Sequence, residues 1–299
     1  MITCLVVSVT LFMLALPLRP ARHEAPALPP VLQKHSSPRQ EIPEIRGYAF
    51  SDQGVEQHAL PGGLREASGL AFTDDGRLLC HSDERGVVYE INYQTGKAVK
   101  QFGVGRPTVV HDFEGIAVKG DTVFLVTSSG WIFYCREGAD GKSVSYQTLR
   151  TPLDARYNVE GLAYDPVTDC LLLACKGSAG KGYEKQKAVY AFSLRTRRLQ
   201  AQPRFLLPLK ALSNRTDRGE FNPSGLERHP VTGHFFVIAY NGASIVELAA
   251  DGSISGMSRL PKSVHRQPEG IAIAADGTMV IANEGQGRAG MIVVYRPVN

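Results

Sequence analysis

The chain has 299 residues, of which 43% are hydrophobic, and it carries a net charge of +4. This length and composition fit one soluble domain with a large core, and the 30 glycines and 18 prolines suit a turn-rich fold. The positive charge is spread out, and its one dense cluster, residues 195–198 (RTRR), lies at a predicted turn. A nucleic-acid-binding protein would need a continuous basic face, so the composition argues against that class.

The N-terminal segment predicts export. Residues 2–18 form an uninterrupted apolar stretch, which residues 19–22 (RPAR) follow. Its length of about 17 residues lies between the core of a signal peptide and a short membrane span. No Lys or Arg precedes it, so a cleaved signal peptide and a retained membrane anchor over residues 1–20 both stay open. Residues 21–43 are Pro-rich and are expected to be a flexible linker before a folded domain over residues 44–299.

A short phrase returns five times after this linker: a small or acidic residue, Gly, an aliphatic residue and usually Ala. The five copies are Ser68-Gly69-Leu70-Ala71, Glu114-Gly115-Ile116-Ala117, Glu160-Gly161-Leu162-Ala163, Ser224-Gly225-Leu226-Glu227 and Glu269-Gly270-Ile271-Ala272. Consecutive copies begin about 45 residues apart, except for one longer interval between the third and the fourth. A repeat of this length is typical of supersecondary units that pack side by side.

Each copy opens a series of short apolar runs that are separated by turns. In the first unit, residues 74–76 (DDG) separate two such runs, and residues 87–91 form a third. Weaker fourth runs follow in four units, for example at residues 144–148 and 254–259. Asp-Gly between β-prone runs indicates a hairpin, and no amphipathic helix of three turns interrupts the pattern. The sequence therefore predicts an all-β fold, a β-propeller of five four-stranded blades.

The fifth unit lacks a fourth strand because the chain ends soon after Tyr295. Residues 45–59, before the first repeat, are expected to supply that strand and to close the ring. A sixth blade within the longer interval stays possible, although the additional residues are too few to form one. They fall in residues 176–187 and 209–221. These two loops are expected either to carry binding specificity or to be tolerated surface insertions.

The residue before each repeat glycine is expected at one mouth of the central channel, because the first strand of each blade lines that channel. We call these residues the ring positions: Ser68, Glu114, Glu160, Ser224 and Glu269. Three carboxylates around one axis repel one another unless a cation lies between them, and Ca²⁺ takes six to eight oxygen ligands. The ring positions therefore predict a Ca²⁺ site. Alternatively, the glutamates accept backbone N–H bonds that join neighbouring blades.

Polar residues also follow the second apolar run of the units. Those that we expect to bind a ligand are Asp83, Arg85, Lys176, Asn241, Asn283 and Glu284. Because they offer both signs of charge, they suit a polar or anionic small molecule better than a lipid. They are expected to line a pocket at one end of the channel, either beside the ring positions or opposite them. Each of them individually also fits a turn residue.

No signature of nucleophilic catalysis is present. The sequence has no Gly-x-Ser-x-Gly elbow, and its eight histidines show no zincin spacing. His111 and His265 lie within four residues of ring glutamates, so either is a candidate general base beside a metal ion, although a lone His in a polar loop is more often solvated. The cysteines after the linker are interpreted as core residues. The catalytic residues are therefore left unassigned.

Several phrases carry a family resemblance: DFEGIAV, NVEGLAYDP, FNPSGLERHPVTG and QPEGIAIAADG, with HSDERGVVYEI before them. They resemble the SdiA-regulated family of bacterial envelope β-propellers, and the similarity covers about residues 60–299. The family is related in pattern to esterase-like phytase domains. The resemblance implies an exported propeller of the periplasm or cell envelope with a cation at the channel mouth, and it implies no defined reaction.

Two functional classes follow. The first is a binding module for a small polar ligand or an envelope protein, with a structural cation in the ring. The second is a calcium-dependent hydrolase of a lactone or a phosphoester, by resemblance to gluconolactonase-type propellers, in which a glutamate before a blade's first glycine ligates calcium. In that class Glu114, Glu160 and Glu269 would hold the Ca²⁺ that polarises the substrate or activates water. We favour the binding module, with membrane contact only through the N-terminal segment.

Overall fold

The computed structural model describes residues 42–216 and 219–298, and its strands form five antiparallel sheets arranged as a β-propeller. The predicted export segment and nearly all of the predicted linker lie outside the described residues, so export stays a prediction. Within the described residues, no helix is long and apolar enough to cross a membrane.

The strands follow one another around the ring in chain order. The first described strand is β1 (Glu56–Ala59). Blade 1 contains β2 (Ala67–Phe72), β3 (Leu78–Ser82), β4 (Val87–Asn92) and β5 (Lys97–Val104). Blade 2 contains β6 (Phe113–Lys119), β7 (Thr122–Thr127) and β8 (Trp131–Arg136), then β9 (Ser143–Val144) intervenes, and β10 (Gln147–Arg150) completes blade 2. Blade 3 contains β11 (Val159–Asp165), β12 (Cys170–Cys175), β13 (Gln186–Ser193), β14 (Arg198–Leu199) and β15 (Phe205–Pro208).

Blade 4 follows the one-turn helix α1 (Leu209–Leu212) and contains β16 (Pro223–Arg228), β17 (Phe235–Ala239), β18 (Ser244–Leu248) and β19 (Ile254–Arg259). Blade 5 contains β20 (Pro268–Ile273), β21 (Met279–Asn283) and β22 (Met291–Tyr295). Its fourth strand is β1, which pairs with β22 in antiparallel register from Glu56↔Val294 to Ala59↔Met291. The predicted closure of the ring by an N-terminal strand is therefore confirmed, with five blades.

The predicted fourth strand at residues 144–148 is wrong as one element. Residues 143–144 form β9, which pairs in parallel with β5 of blade 1, while β10 pairs with β8 of blade 2. β9 adds to the outer edge of β5, where the backbone groups of β5 have no other partner among the described strands. Just after β5, the Gly105 N–H donates to the Val144 carbonyl at 2.8 Å. One predicted strand therefore supplies two blades.

The core lies in the five seams between neighbouring blades. Along β12, Leu171 and Leu173 pack toward blade 2, whereas Leu172 and Ala174 pack toward blade 4. This alternation is the two-residue period of a strand, and burial on both faces explains why β12 is apolar throughout. Core clusters fill all five seams, and the one between blades 5 and 1 completes the ring.

The repeat glycines are explained by the close approach of the inner strands. A Cβ atom on Gly115 would lie 2.8 Å from Leu162 N, and one on Gly161 would lie 2.9 Å from Leu226 N. A Cβ atom on Gly225 would lie 2.7 Å from the Glu269 carbonyl oxygen. In each case the atom that it meets is backbone of the next blade. The repeated phrase therefore marks the contact that sets the spacing of the blades around the axis.

The four cysteines among the described residues are buried and free, as interpreted from the sequence. They are Cys80, Cys135, Cys170 and Cys175. Cys170 and Cys175 stand at opposite ends of β12, which separates their side chains.

Candidate functional site

Both predicted sets of polar residues lie at the same end of the propeller. The strands of a blade run antiparallel, so the start of the inner strand lies beside the end of the second strand. Backbone hydrogen bonds join the two ends: Lys176 N–H donates to the Asn158 carbonyl at 2.9 Å, and Glu284 N–H donates to the Gln267 carbonyl at 3.0 Å. The residues that follow each second strand therefore lie at the same end of the blade as the ring positions.

The ring positions themselves are largely buried. Glu160 and Glu269 are 4% and 5% exposed, and Glu114 is partly buried. The two serines bind backbone: Ser68 Oγ donates to the Glu66 carbonyl at 3.3 Å, and Ser224 Oγ donates to the Pro268 carbonyl at 2.6 Å. The Ser224 contact joins blades 4 and 5, so this ring position has the inter-blade role that was the alternative for the glutamates.

Lys176 lies inside the ring rather than at its edge. Its Nζ is 3.0 Å from Glu160 Oε1, which also accepts a hydrogen bond from Asn158 Nδ2 at 2.7 Å. Burial lowers the pKa of Lys176, but attraction by Glu160, Glu269 and Glu114 outweighs burial and raises it overall. The ammonium group is therefore held in its charged form, and its partners come from three different blades.

Besides the exposed Glu84, whose charge also acts on Asp83, seven carboxyl groups from four blades interact with one another at this mouth, and we call these seven the mouth cluster. They are Glu66 and Asp83 of blade 1, Asp112 and Glu114 of blade 2, Glu160 of blade 3, and Glu269 and Glu284 of blade 5. Removal from water and nearby like charges both disfavour an ionised carboxylate. The mouth cluster therefore combines strong mutual repulsion with one ammonium group of the described residues in close contact, that of Lys176.

The pKa values follow from this environment. Burial raises the pKa of Glu114 to about 9, and repulsion by Glu160 and Asp112 adds to the effect. Burial also raises the pKa of Glu269 to about 8 and that of Glu284 to about 7. Glu114 and Glu269 therefore retain protons at neutral pH, at which an exposed glutamate would be ionised.

Amide side chains connect the blade 5 part of the mouth cluster. Gln267 Nε2 donates to Glu269 Oε1 at 3.1 Å and also to Glu284 Oε2. Gln286 Nε2 in turn donates to Gln267 Oε1 at 2.9 Å. Glu284 also shares a hydrogen bond with the carboxyl group of Glu66, which raises the pKa of Glu284 further. These contacts hold the carboxyl groups in place from the side of the β21–β22 loop.

Five of the six predicted ligand-binding residues fall into three groups. Asp83, Glu284 and Lys176 belong to the mouth, and burial raises the pKa of Asp83 to about 6. Arg85 is exposed at the turn after β3. Asn283 is 2% exposed and lies beneath the surface, where its Oδ1 accepts a hydrogen bond from His265.

Both candidate bases pack against aromatic side chains, and within the described residues no hydrogen bond joins either of them to a ring glutamate. His265 is 1% exposed; its Nδ1 donates to Asn283 Oδ1 at 3.2 Å and its Nε2 accepts from the Tyr295 hydroxyl at 2.7 Å. Burial lowers the pKa of His265 to about 4, so its ring is neutral and both nitrogens have partners. His111 is exposed and packs against Phe133, with ring centroids 5.0 Å apart.

The sixth predicted ligand residue, Asn241, lines a cavity that sequence reasoning missed. This cavity of about 350 Å³ lies in the seam between blades 4 and 5, and we call it the seam cavity. Its lining comes from the β17–β18 turn, the segment before β16, the β19–β20 linker and the β21–β22 loop. No local motif marks it, because its walls are far apart in sequence.

The predicted Ca²⁺ site stays a prediction. Among residues 42–216 and 219–298, no three His, Cys, Asp or Glu side chains are grouped so that they could hold one metal ion. Oxygen atoms of Glu160, Glu269 and Ser224 are engaged with Lys176, amide groups and backbone instead, as described above.

The replacement Glu114→Gln is expected to raise the melting temperature at about pH 8 to 9 and to leave it nearly unchanged at about pH 4. Folded Glu114 keeps its proton up to about pH 9, whereas the unfolded chain releases it near 4.5. Between these values the folded state binds more protons, so stability falls as pH rises. Glutamine does not titrate, so the variant does not lose this part of its stability as pH rises. Thermal unfolding across this pH range checks the prediction, with the exposed Glu84→Gln as control; parallel curves for wild type and Glu114→Gln would contradict it.

Solved structures with a similar fold include three enzymes. A glutaminyl cyclase of Myxococcus xanthus has 14% identity and a TM-score of 0.52, and the match covers 81% of this chain and 95% of that chain. A luciferin-regenerating enzyme has 10% identity and a TM-score of 0.52, with 81% of this chain and 95% of that chain covered. A PQQ-bound aldose sugar dehydrogenase of Streptomyces coelicolor has 12% identity and a TM-score of 0.50, with 84% of this chain and 100% of that chain covered. At these identities the similarity concerns the fold alone. No curated protein matches the sequence.

The family comparison agrees with the resemblance of the repeated phrases. The family model described as SdiA-regulated matches residues 50–286, a range that contains all five repeat glycines and the whole mouth cluster. The match covers most of the described propeller, and the chain therefore belongs to the SdiA-regulated family.

Proposed function

We propose that this propeller is a binding module whose channel mouth holds the cationic group of a small polar ligand. The position of Lys176 supports this proposal, because its ammonium group already lies 3.0 Å from Glu160 and is attracted by Glu269 and Glu114. The chain itself thus shows that the mouth cluster accommodates an ammonium group. Seven carboxyl groups around one ammonium leave negative charge for a second cation once Glu114 and Glu269 have ionised.

Protons compete with such a ligand. Glu114 and Glu269, with pKa values of about 9 and about 8, are protonated at neutral pH. A cation that approaches them favours their ionised forms, so binding releases protons. We therefore expect the affinity for a cationic ligand to rise with pH between about 7 and 9. The affinity is expected to be highest at the pH at which the carboxyl groups of the mouth cluster are ionised.

The second candidate is a calcium-dependent hydrolase of a lactone or a phosphoester. The recurrence of Glu114, Glu160 and Glu269 before the repeat glycines favours it. The side-chain arrangement fits it less well, because Lys176 lies against Glu160 and because no three acidic, His or Cys groups of the described residues are grouped for one ion. A Ca²⁺ ion in the ring would have to displace the Lys176 ammonium, and we derive no catalytic step through it.

Butylammonium chloride is expected to raise the melting temperature of the wild-type protein by about 3 to 5 °C at ten times its Kd, because a ligand that binds only the folded state stabilises it. The Glu160→Gln variant is expected to lose this shift, and the exposed Glu184→Gln variant to keep it. Sodium chloride at equal ionic strength controls for screening.

The same measurement with CaCl₂ after EDTA treatment separates the two candidates. A rise with Ca²⁺ alone that Glu160→Gln loses would favour the hydrolase and would justify a substrate screen. A rise with butylammonium that Glu160→Gln loses supports the binding module. No rise with either cation would contradict both candidates and would leave the ring glutamates with a structural role only.

A further inference from the structure

The seam cavity differs in charge from the mouth beside it. Among the described residues, those that line it are Glu220, Tyr240, Asn241, Gly242, Ala243, Lys262, His265, Arg266 and Gln286. Two of these are cationic, Lys262 and Arg266, and only Glu220 is anionic. The mouth cluster, in contrast, has seven carboxyl groups and one close ammonium. Two regions of opposite charge therefore lie side by side at one end of the propeller.

The polar groups of the seam cavity suit an oxyanion. Arg266 is exposed and has no ion-pair partner among the described residues. A guanidinium group presents several N–H donors in a plane and binds carboxylate or phosphate in a bidentate way. Tyr240 adds a hydroxyl group, and Asn241 and Gln286 add amide groups. His265 lies beneath them; its ring is neutral and both of its nitrogens already have hydrogen-bond partners. It therefore contributes a wall of the cavity but no charge.

A chain of side-chain contacts joins the seam cavity to the mouth cluster. Gln286 is within 3.5 Å of the Tyr240 hydroxyl on one side, and on the other it donates to Gln267 Oε1 at 2.9 Å. Gln267 then donates to Glu269 Oε1 at 3.1 Å. Only two glutamine side chains thus separate the wall of the cavity from a ring position. A ligand that contacts both regions would have to span this chain of two side chains.

The backbone at the cavity is held in an unusual conformation. Ala243 has φ 41° and Gln286 has φ 48°, values in the left-handed region that non-glycine residues seldom adopt. Such strain persists where the surrounding structure imposes it, and it is frequent at ligand sites. Both residues line the seam cavity, one in the β17–β18 turn and one in the β21–β22 loop.

We propose that the seam cavity binds an oxyanion group, carboxylate or phosphate, of the same small molecule whose cationic group lies in the mouth cluster. The ligand class is then zwitterionic: an ammonium at one end and an oxyanion at the other. For the cationic end of the ligand, this inference rests on the proposed function. For the anionic end, it rests on the residues that line the seam cavity, and that part is tested separately.

The first experiment titrates the protein with inorganic phosphate and follows backbone amides of residues 240–243 and 286 by NMR. Phosphate is expected to shift these amides, and Arg266→Gln is expected to weaken its binding about tenfold, the loss of one charged hydrogen-bonding partner. The control is Arg288→Gln, because Arg288 is an exposed arginine of the β21–β22 loop that does not line the cavity. Equal phosphate binding by both variants, or no shift of these amides, would overturn the proposal.

The second experiment compares ω-amino acids from glycine to 6-aminohexanoate with acetate and butylammonium. At least one chain length is expected to bind more tightly than either single-charge probe, because the second contact becomes intramolecular. If no amino acid exceeds the single-charge probes, the two regions do not share a ligand and the proposal is wrong. If phosphate binds but butylammonium does not, the function proposed for the mouth cluster is contradicted instead. The seam cavity would then be an independent oxyanion site.

Discussion

Gly115→Ala is expected to lower the melting temperature by about 5 to 10 °C, the effect of overpacking a close contact in a domain of this size. The new Cβ atom would lie 2.8 Å from both Leu162 N and Leu162 Cβ and 3.0 Å from the Glu160 carbonyl oxygen. Two of these atoms are backbone of the inner strand of blade 3, so no side-chain rotation relieves the contact. Blades 2 and 3 must separate, and a closed ring of five blades transmits that displacement to the other seams.

The control is Gly62→Ala, because a Cβ atom on Gly62 has no neighbour within 4 Å. Thermal unfolding of both variants is the measurement. Equal melting temperatures for Gly115→Ala and Gly62→Ala would show that the repeat glycines are not needed for blade spacing. The explanation of the fivefold repeated phrase would then be wrong.

Lys176→Met is expected to cost about 2 kcal/mol of stability at pH 9 and much less at pH 4. Removing one partner of a buried ion pair costs about 3 to 5 kcal/mol, and the figure is reduced here because the Lys176 side chain is 29% exposed. Burial already raises the pKa of Glu160, and Lys176 opposes that rise. Without the ammonium, folded Glu160 holds its proton to higher pH than the unfolded chain does. Stability is therefore lost as pH rises above about 4.5.

A double-mutant cycle with Glu160→Gln isolates this interaction. If the cost comes from an uncompensated carboxylate, Lys176→Met is expected to cost little in the Glu160→Gln background. Lys181→Met, an exposed lysine in the same loop, is the matched control. Chemical denaturation at pH 4 and pH 9 provides the free energies of unfolding. A loss that is equal at both pH values, or that persists in full in the Glu160→Gln background, would contradict the assigned role of Lys176.

The five blades were predictable because their signals are local. Each repeat carries its own glycine, its own turn and its own alternation of apolar runs, and the residues before the first repeat complete blade 5. The split of residues 144–148 was not predictable in the same way. The pairing of β9 with β5 depends on an unpaired strand edge about 40 residues earlier, which is a property of the assembled blade.

The candidate site was predictable in part. The ring glutamates and Lys176 were both singled out, and antiparallel pairing accounts for their meeting at one mouth. That Lys176 would enter the ring depends on the three-dimensional distances among three blades, which no motif records. The seam cavity was missed for a similar reason: Tyr240, Arg266 and Gln286 lie on three loops, and only the seam between blades 4 and 5 brings them together.

Calorimetric titration of butylammonium into the protein at about pH 7.5, in two buffers with different ionisation enthalpies, tests the cation-binding mouth most directly. We predict binding with net release of protons, because Glu114 and Glu269 carry protons at this pH and must lose them beside a cation. The Glu269→Gln variant is predicted to bind more weakly and to release fewer protons. Absence of binding would contradict a cation site in the mouth cluster. Binding that releases no protons and that has the same affinity in the Glu269→Gln variant would contradict it as well.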